Sequence, residues 1–199
     1  MALLKNNKAT EGSAICRWRK VRVLCSLTLA CLLRLSLSAR AAESYSADQI
    51  KAAYIYHFTQ FVEWPSNMLA KADAPITIAI VGADSVRGYL EEISRNTKGG
   101  SHPINVLSLS SLKSMMPCHM IYFGAGFRMP RDATKAFEDF RRQSILTVGE
   151  TDAFLQQGGI IQFHLLENKI RLKIRLHAAE SAGLKISSKL LRVADVMDK

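Results

Sequence analysis

The chain has 199 residues, of which 48% are hydrophobic and 22% charged, which suits a folded domain with a buried core and excludes a chain that stays unfolded. Its 27 Lys and Arg against 17 Asp and Glu give a formal net charge of +10, and it carries four cysteines. Both figures change once the N-terminus is read as an export signal.

Arg17, Arg19, Lys20 and Arg22 form a basic opening. The apolar run Val23–Leu33 follows, and Ala39-Arg40-Ala41 supplies a small-residue cleavage site. The run is too short to span a bilayer, which takes about 20 residues. Cleavage near Ala41 is expected to leave residues 42–199 as one domain. Eight basic residues and Glu11 leave with the signal, so the +10 of the whole chain falls to +3. The basic balance therefore belongs mostly to the signal and points to no nucleic-acid partner. Cys16, Cys25 and Cys31 leave as well. Cys118 remains alone, at the head of the apolar run CHMIYF, and is expected to be buried and unpaired.

The first predicted element is a helix over 47–62. Ser46 and Gln49 form a capping box, and Ile50, Tyr54, His57, Phe58 and Phe61 make its apolar face. Trp64-Pro65 ends it. Ile76–Val81 reads as a buried strand, followed by a helix over 85–94, a loop over 96–103, a strand over 104–107 and a short helix over 110–116. A strand over 118–123, a helix over 130–142 opened by Pro130, a strand over 145–148 and a short helix over 152–157 come next.

From Ile161 the pattern changes. Ile161, Phe163 and Leu165 alternate with Gln162 and His164. After the turn Glu167-Asn168, Ile170, Leu172, Ile174 and Leu176 alternate with Lys169, Arg171, Lys173 and Arg175. This predicts a β-hairpin with a basic outer face, and two short helices over 178–182 and 187–193 close the chain. The fold expected is an α/β single-domain sandwich: a mostly parallel sheet, a C-terminal antiparallel β-hairpin at its edge, and helices on both faces.

No catalytic constellation stands out. No serine sits in a G-x-S-x-G elbow, and His57 and His177 lack an obvious carboxylate partner. Cys118 and His119 are adjacent and so point to opposite faces of a strand, and the remaining histidines are scattered, which argues against a metal site. Gly124-Ala125-Gly126 lacks the third glycine of a dinucleotide fingerprint. The basic hairpin has no aromatic stacking platform for nucleic acid. The expectation is a non-enzyme that needs no cofactor or metal and works by recognition.

Five segments, KAAYIYHFTQFVEWP (51–65), IAIVGAD (78–84), CHMIYFG (118–124), ILTVGETDAFLQQGGIIQF (145–163) and NKIRLKIRLHAAESAGLKISSKLLRVA (168–194), together resemble the YfiR family of periplasmic regulators. The resemblance implies a homodimerising periplasmic repressor. It would bind the periplasmic sensor domain of an inner-membrane diguanylate cyclase of the YfiN type and so lower cyclic di-GMP signalling and biofilm formation. The second hairpin strand departs from the family pattern, since Arg175 stands where asparagine is common. With one cysteine in the mature chain, no internal disulfide can serve as a redox sensor.

The residues expected to meet the partner are Phe61 and Trp64 after the first helix, and Phe163, Glu167, Lys169, Ile170 and Arg171 of the hairpin. By their alternation Phe163 and Ile170 equally suit the core, and Trp64 suits packing beneath the helix end. The alternative is a periplasmic small-molecule-binding sensor domain coupled to a histidine kinase or transporter. Its ligand would sit in the crevice at the carboxyl ends of the strands, near Gly82, Gly124 and Gly149.

Overall fold

The computed structural model describes residues 45–69, 73–97, 102–112 and 116–197, and the export signal expected over 1–41 lies outside them. Helix α1 (Ala47–Phe61) starts at the predicted capping box. Ser46 Oγ accepts from the Gln49 amide at 3.2 Å, and the Gln49 side chain accepts from the Ser46 amide at 2.7 Å. The helix stops at Val62, where the chain extends into β1 (Val62–Glu63) ahead of Pro65. Its buried residues are Ala52, Ile55, Tyr56 and Phe58, whereas Ile50 and His57 of the expected apolar face are exposed. The reason is that α1 packs against a second helix as well as the sheet, which turns its buried stripe toward both.

The chain continues through β2 (Ile76–Val81), α2 (Asp84–Asn96), β3 (Ile104–Leu109), β4 (Met120–Phe123), α3 (Thr134–Arg142), β5 (Leu146–Gly149) and α4 (Asp152–Gln156). It ends with β6 (Ile161–Leu166), β7 (Lys169–Arg175), α5 (Leu176–Ser181), β8 (Lys185–Ile186), α6 (Ser188–Leu191) and β9 (Ala194–Met197). Seven strands form one sheet in the order β3-β2-β4-β5-β6-β7-β9, and β1 pairs with β8 in a separate two-stranded sheet. Only the β6–β7 hairpin is antiparallel in the large sheet. This is the expected α/β architecture.

The apolar runs divide between two layers because strand residues alternate in direction. Ile76, Ile78, Ile80, Met120, Tyr122, Leu146 and Val148 face α1 and α2. Ala79, Val81, Ile121 and Phe123 face Phe137 and Phe140 of α3 and Phe154 of α4. Cys118 lies in this second layer, 3% exposed and unpaired.

Several expectations are corrected. Helix α3 begins at Thr134, not Pro130, because Gln157 holds the preceding segment. Its side-chain oxygen accepts from the Ala133 amide at 2.9 Å, and its Nε2 donates to the Pro130 carbonyl at 3.1 Å. The short helix expected over 110–116 falls partly outside the described residues, and no α-helix forms over 110–112. The hairpin is not the sheet edge, because β9 pairs in parallel with residues 172–175 of β7. The turn at Glu167-Asn168 is as read: both residues have positive φ, 50° and 60°, as a two-residue type I′ connection requires.

Candidate functional site

Strand β2 hands the chain to β3 on one side, and the chain then crosses to β4 on the other. The carboxyl ends of β2 and β4 therefore mark the switch point at which ligands bind in open α/β sheets. Here the two loops close on each other. A Cβ on Gly124 would lie 2.4 Å from the Ala83 Cβ, and the Gly124 amide donates to the Val81 carbonyl at 2.9 Å. The opening is displaced along the sheet, toward β5 and β6.

A polar chain lines that region. Asp48 and Lys51 sit one turn apart on α1 and pair at 3.2 Å. Lys51 Nζ reaches Glu150, just past β5, at 2.7 Å. The other Glu150 oxygen accepts from the Tyr122 hydroxyl and from the Ala125 amide, the latter at 3.2 Å. Asp48 in turn accepts from Ser85 at the start of α2. Each Glu150 oxygen is thus occupied, and the arrangement pins α1 to β4, β5 and α2 instead of presenting a free acid or base.

The ionisation of these groups follows from their contacts. Burial pulls the Lys51 ammonium down, but its bonds to Glu150 and Asp48 outweigh that and hold it above its ordinary value. The Ser85 hydroxyl, opposed by partial burial and helped by Lys51, holds the Asp48 carboxyl below the usual range. Burial and then Glu150 push the Tyr122 phenol up.

Beside this pin lies a cavity of about 870 Å³. Ala47 and Lys51 of α1, the Glu150–Asp152 segment, and residues 162–166 of β6 line it. It exists because β5 pairs with β6 only as far as Gly149 opposite Gln162, so the last residues of β6 stand clear as a wall. A smaller cavity of about 340 Å³ adjoins it across Asp152, Gln162 and Lys173. The larger volume falls in the range of small-molecule sites, about 300–1,000 Å³. Among the described residues no cluster of His, Cys, Asp and Glu could hold a metal ion.

The residues expected to meet a partner fall into separate places. Phe61 and Trp64 lie half-buried against the main core at the C-terminal end of α1. Phe163 is 3% exposed, stacked on Phe58 at 6.0 Å and edge-on to Tyr122 at 6.1 Å, and so belongs to the core. Glu167, Lys169 and Arg171 are exposed on the hairpin, and Ile170 is half-buried across from Leu165. The cavity at the N-terminal end of α1 also touches Leu165, Leu166 and Ile170. The hairpin tip therefore lies near the start of a helix whose far end, about 20 Å along its axis, carries Phe61. The sequence reading placed Leu165 on the buried face and Gln162 on the solvated one. Leu165 is 67% exposed and Leu166 53%, because the hairpin tip outruns β5, while Gln162 is 1% exposed and bonded to Asp152 of α4. Lys51, Tyr122 and Glu150 were missed as a group. Lys51 precedes an apolar run, Tyr122 sits inside one and Glu150 follows one, and only the fold brings them together.

The sequence profile of the YfiR/HmsC-like family matches residues 48–195. No curated protein sequence matches the chain. Among solved structures, a conserved domain protein from Vibrio cholerae O1 biovar eltor is similar at 14% identity and a TM-score of 0.46, covering 76% of this chain and 60% of that one. The ABC domain in complex with L-Trp from Streptococcus pneumonia is similar at 9% identity and a TM-score of 0.41, covering 61% of this chain and 54% of its own. The chain thus spans less than two thirds of either structure.

Proposed function

Because the chain belongs to the YfiR/HmsC-like family, we propose that it is a non-catalytic periplasmic regulator that binds and represses the periplasmic sensor domain of an inner-membrane diguanylate cyclase. Repression follows if the domain binds one state of the sensor more tightly than the other, since that difference shifts the sensor's equilibrium. Among the described residues no helix is long and apolar enough to cross a membrane.

The observation that carries this reading is the hairpin tip. Leu165 and Leu166 project into solvent, 67% and 53% exposed, beside exposed Glu167, Lys169 and Arg171. Two apolar anchors with a charged rim are the usual make-up of a docking patch. The rim charges would set orientation and association rate more than affinity. Phe61 and Trp64 would form a second, separate contact if the partner reaches along α1, and a homodimer would present the tip twice.

The test is a crosslinked pull-down from the source cell's membranes, with tagged wild-type protein and a Leu165→Ser/Leu166→Ser variant. Recovery of a membrane-bound diguanylate cyclase by the wild type alone supports the reading. Equal recovery by both moves the interface elsewhere, and recovery of no cyclase by folded wild type overturns it. The second reading, a small-molecule-binding sensor domain serving a histidine kinase or transporter, is favoured by the cavity beside Glu150.

A further inference from the structure

The larger cavity holds two buried acceptors that the fold leaves without donors. Gln162 is 1% exposed, and its Nε2 donates to Asp152 Oδ1 at 2.9 Å. A carboxylate can only accept, so this bond fixes the amide with its oxygen pointing the other way, where Oε1 has no hydrogen-bond partner among the described residues. Two residues along the same face of β6, His164 Nε2 lies 3.4 Å from Asp195 Oδ2. His164 Nδ1 is also buried without a partner, and in the tautomer with its hydrogen on Nε2 it presents a lone pair.

The surrounding charge favours a positive donor. Lys51 is already bonded to Asp48 and Glu150. The other charged groups on the cavity are Asp152, Asp195 and Lys173, an excess of one negative charge. Orphaned acceptors are rare in buried positions and mark places where something outside the chain supplies the donor. Phe163, Leu165 and Ile170 line the same cavity and suit an aliphatic remainder.

We propose that this cavity binds a small molecule through a protonated amine or guanidinium, which donates to Gln162 Oε1 and His164 Nδ1 between the carboxylates of Asp152 and Asp195. The inference deepens the sensor reading. It rests on the cavity being a ligand site and is independent of the cyclase.

Isothermal titration of the purified protein with putrescine, 1,4-butanediol and succinate at constant ionic strength tests it. The diamine is expected to bind saturably at one site, and the diol and diacid are not. Gln162→Met and Asp152→Asn should each weaken putrescine about tenfold or more, the scale of one hydrogen bond to a charged group. Lys169→Ala, on the exposed hairpin tip, should leave it unchanged. Equal binding of the diol, binding of succinate alone, no saturable binding of putrescine, or binding indifferent to both substitutions would overturn the proposal. Where Gln162→Met fails to fold, Asp195→Asn on its exposed strand carries the test, and unchanged affinity counts against the site. A Lys169→Ser/Arg171→Ser variant, changed at two exposed hairpin residues outside the cavity lining, that loses the cyclase but keeps putrescine separates this proposal from the docking one.

Discussion

The indole N–H of Trp64 donates to the main-chain carbonyl of His119 at 3.1 Å, which fastens the exit of α1 to the residue that enters β4. The His119 ring extends the link. Its Nδ1 accepts from the Thr77 amide at 3.0 Å, so its hydrogen sits on Nε2, 3.2 Å from the Met68 carbonyl. Trp64→Phe should keep most of the packing and lose the bond, costing about 1 kcal/mol. Trp64→Ala should cost about 2–4 kcal/mol. Urea denaturation measures both; equal costs would show that the packing contributes little, and no cost in Trp64→Phe would show that the hydrogen bond does.

Stability should fall at both ends of the pH scale, from identifiable groups. Burial pushes the Cys118 thiol from 9.0 to about 11. The unfolded thiol therefore ionises first, and folding loses stability as pH climbs through that interval. Lys51 is held above 10.5, so its contribution is full below that value and lost as pH rises past it. Asp48 is held below 3.8, so its contribution is present above 3.8 and lost as pH falls further. Cys118→Ala should delay the alkaline decline from near 9.0 to near 10.0, where Tyr122 takes over. Asp48→Asn should flatten the acid limb. Melting temperature against pH reads both effects, and an unchanged alkaline onset in Cys118→Ala would remove the thiol from the account.

The hairpin turn carries strain that a substitution can relieve. Glu167 has φ 50° and Asn168 φ 60°, a region that asparagine and glycine tolerate better than glutamate. Glu167→Asn with Asn168→Gly should therefore stabilise the domain by about 1 kcal/mol. Thermal unfolding checks this, and a loss of stability would mean that Glu167 makes contacts worth more than its backbone strain.

Phe154 leaves no room beside it. A Cβ on Gly159 would lie 2.3 Å from the Phe154 ring, and one on Gly149 2.6 Å from it. Gly159→Ala should cost about 1–3 kcal/mol by overpacking. Adding Phe154→Leu should recover part of that loss. A double-mutant cycle by chemical denaturation measures the coupling, and strict additivity would contradict the contact.

The parts of the fold legible in the sequence were those with a local cause. Ser46 and Gln49 announce a helix start whatever lies around them, and ITIAIV can be buried on both faces only as an inner strand. The Glu167-Asn168 turn sits where two alternating runs meet. What was not legible depends on distant neighbours. β9 is four residues, mostly exposed, and is a strand only because β7 offers it an edge. Gln162 follows a solvated rhythm yet is 1% exposed, its amide bonded to Asp152 of α4. The same holds at the site. The glycines after β2 and β4 pointed to a crevice that the two loops close, and the meeting of Lys51 with Glu150 across 99 residues of sequence is a property of sheet order alone.

The clasp between β1 and β8 joins an early part of the chain to a late one. Val62 pairs with Ile186 and Glu63 with Lys185, and the Ser187 amide donates to the Phe61 carbonyl at 2.8 Å. Delivered N-terminus first, these partners arrive almost a whole domain apart in time. Until residues 185–187 emerge, the exit of α1 has nothing to latch onto, however complete the central strands already are. Closure is therefore a terminal event in biogenesis, and a message truncated before Lys185 would yield a polypeptide that carries the central strands and cannot shut.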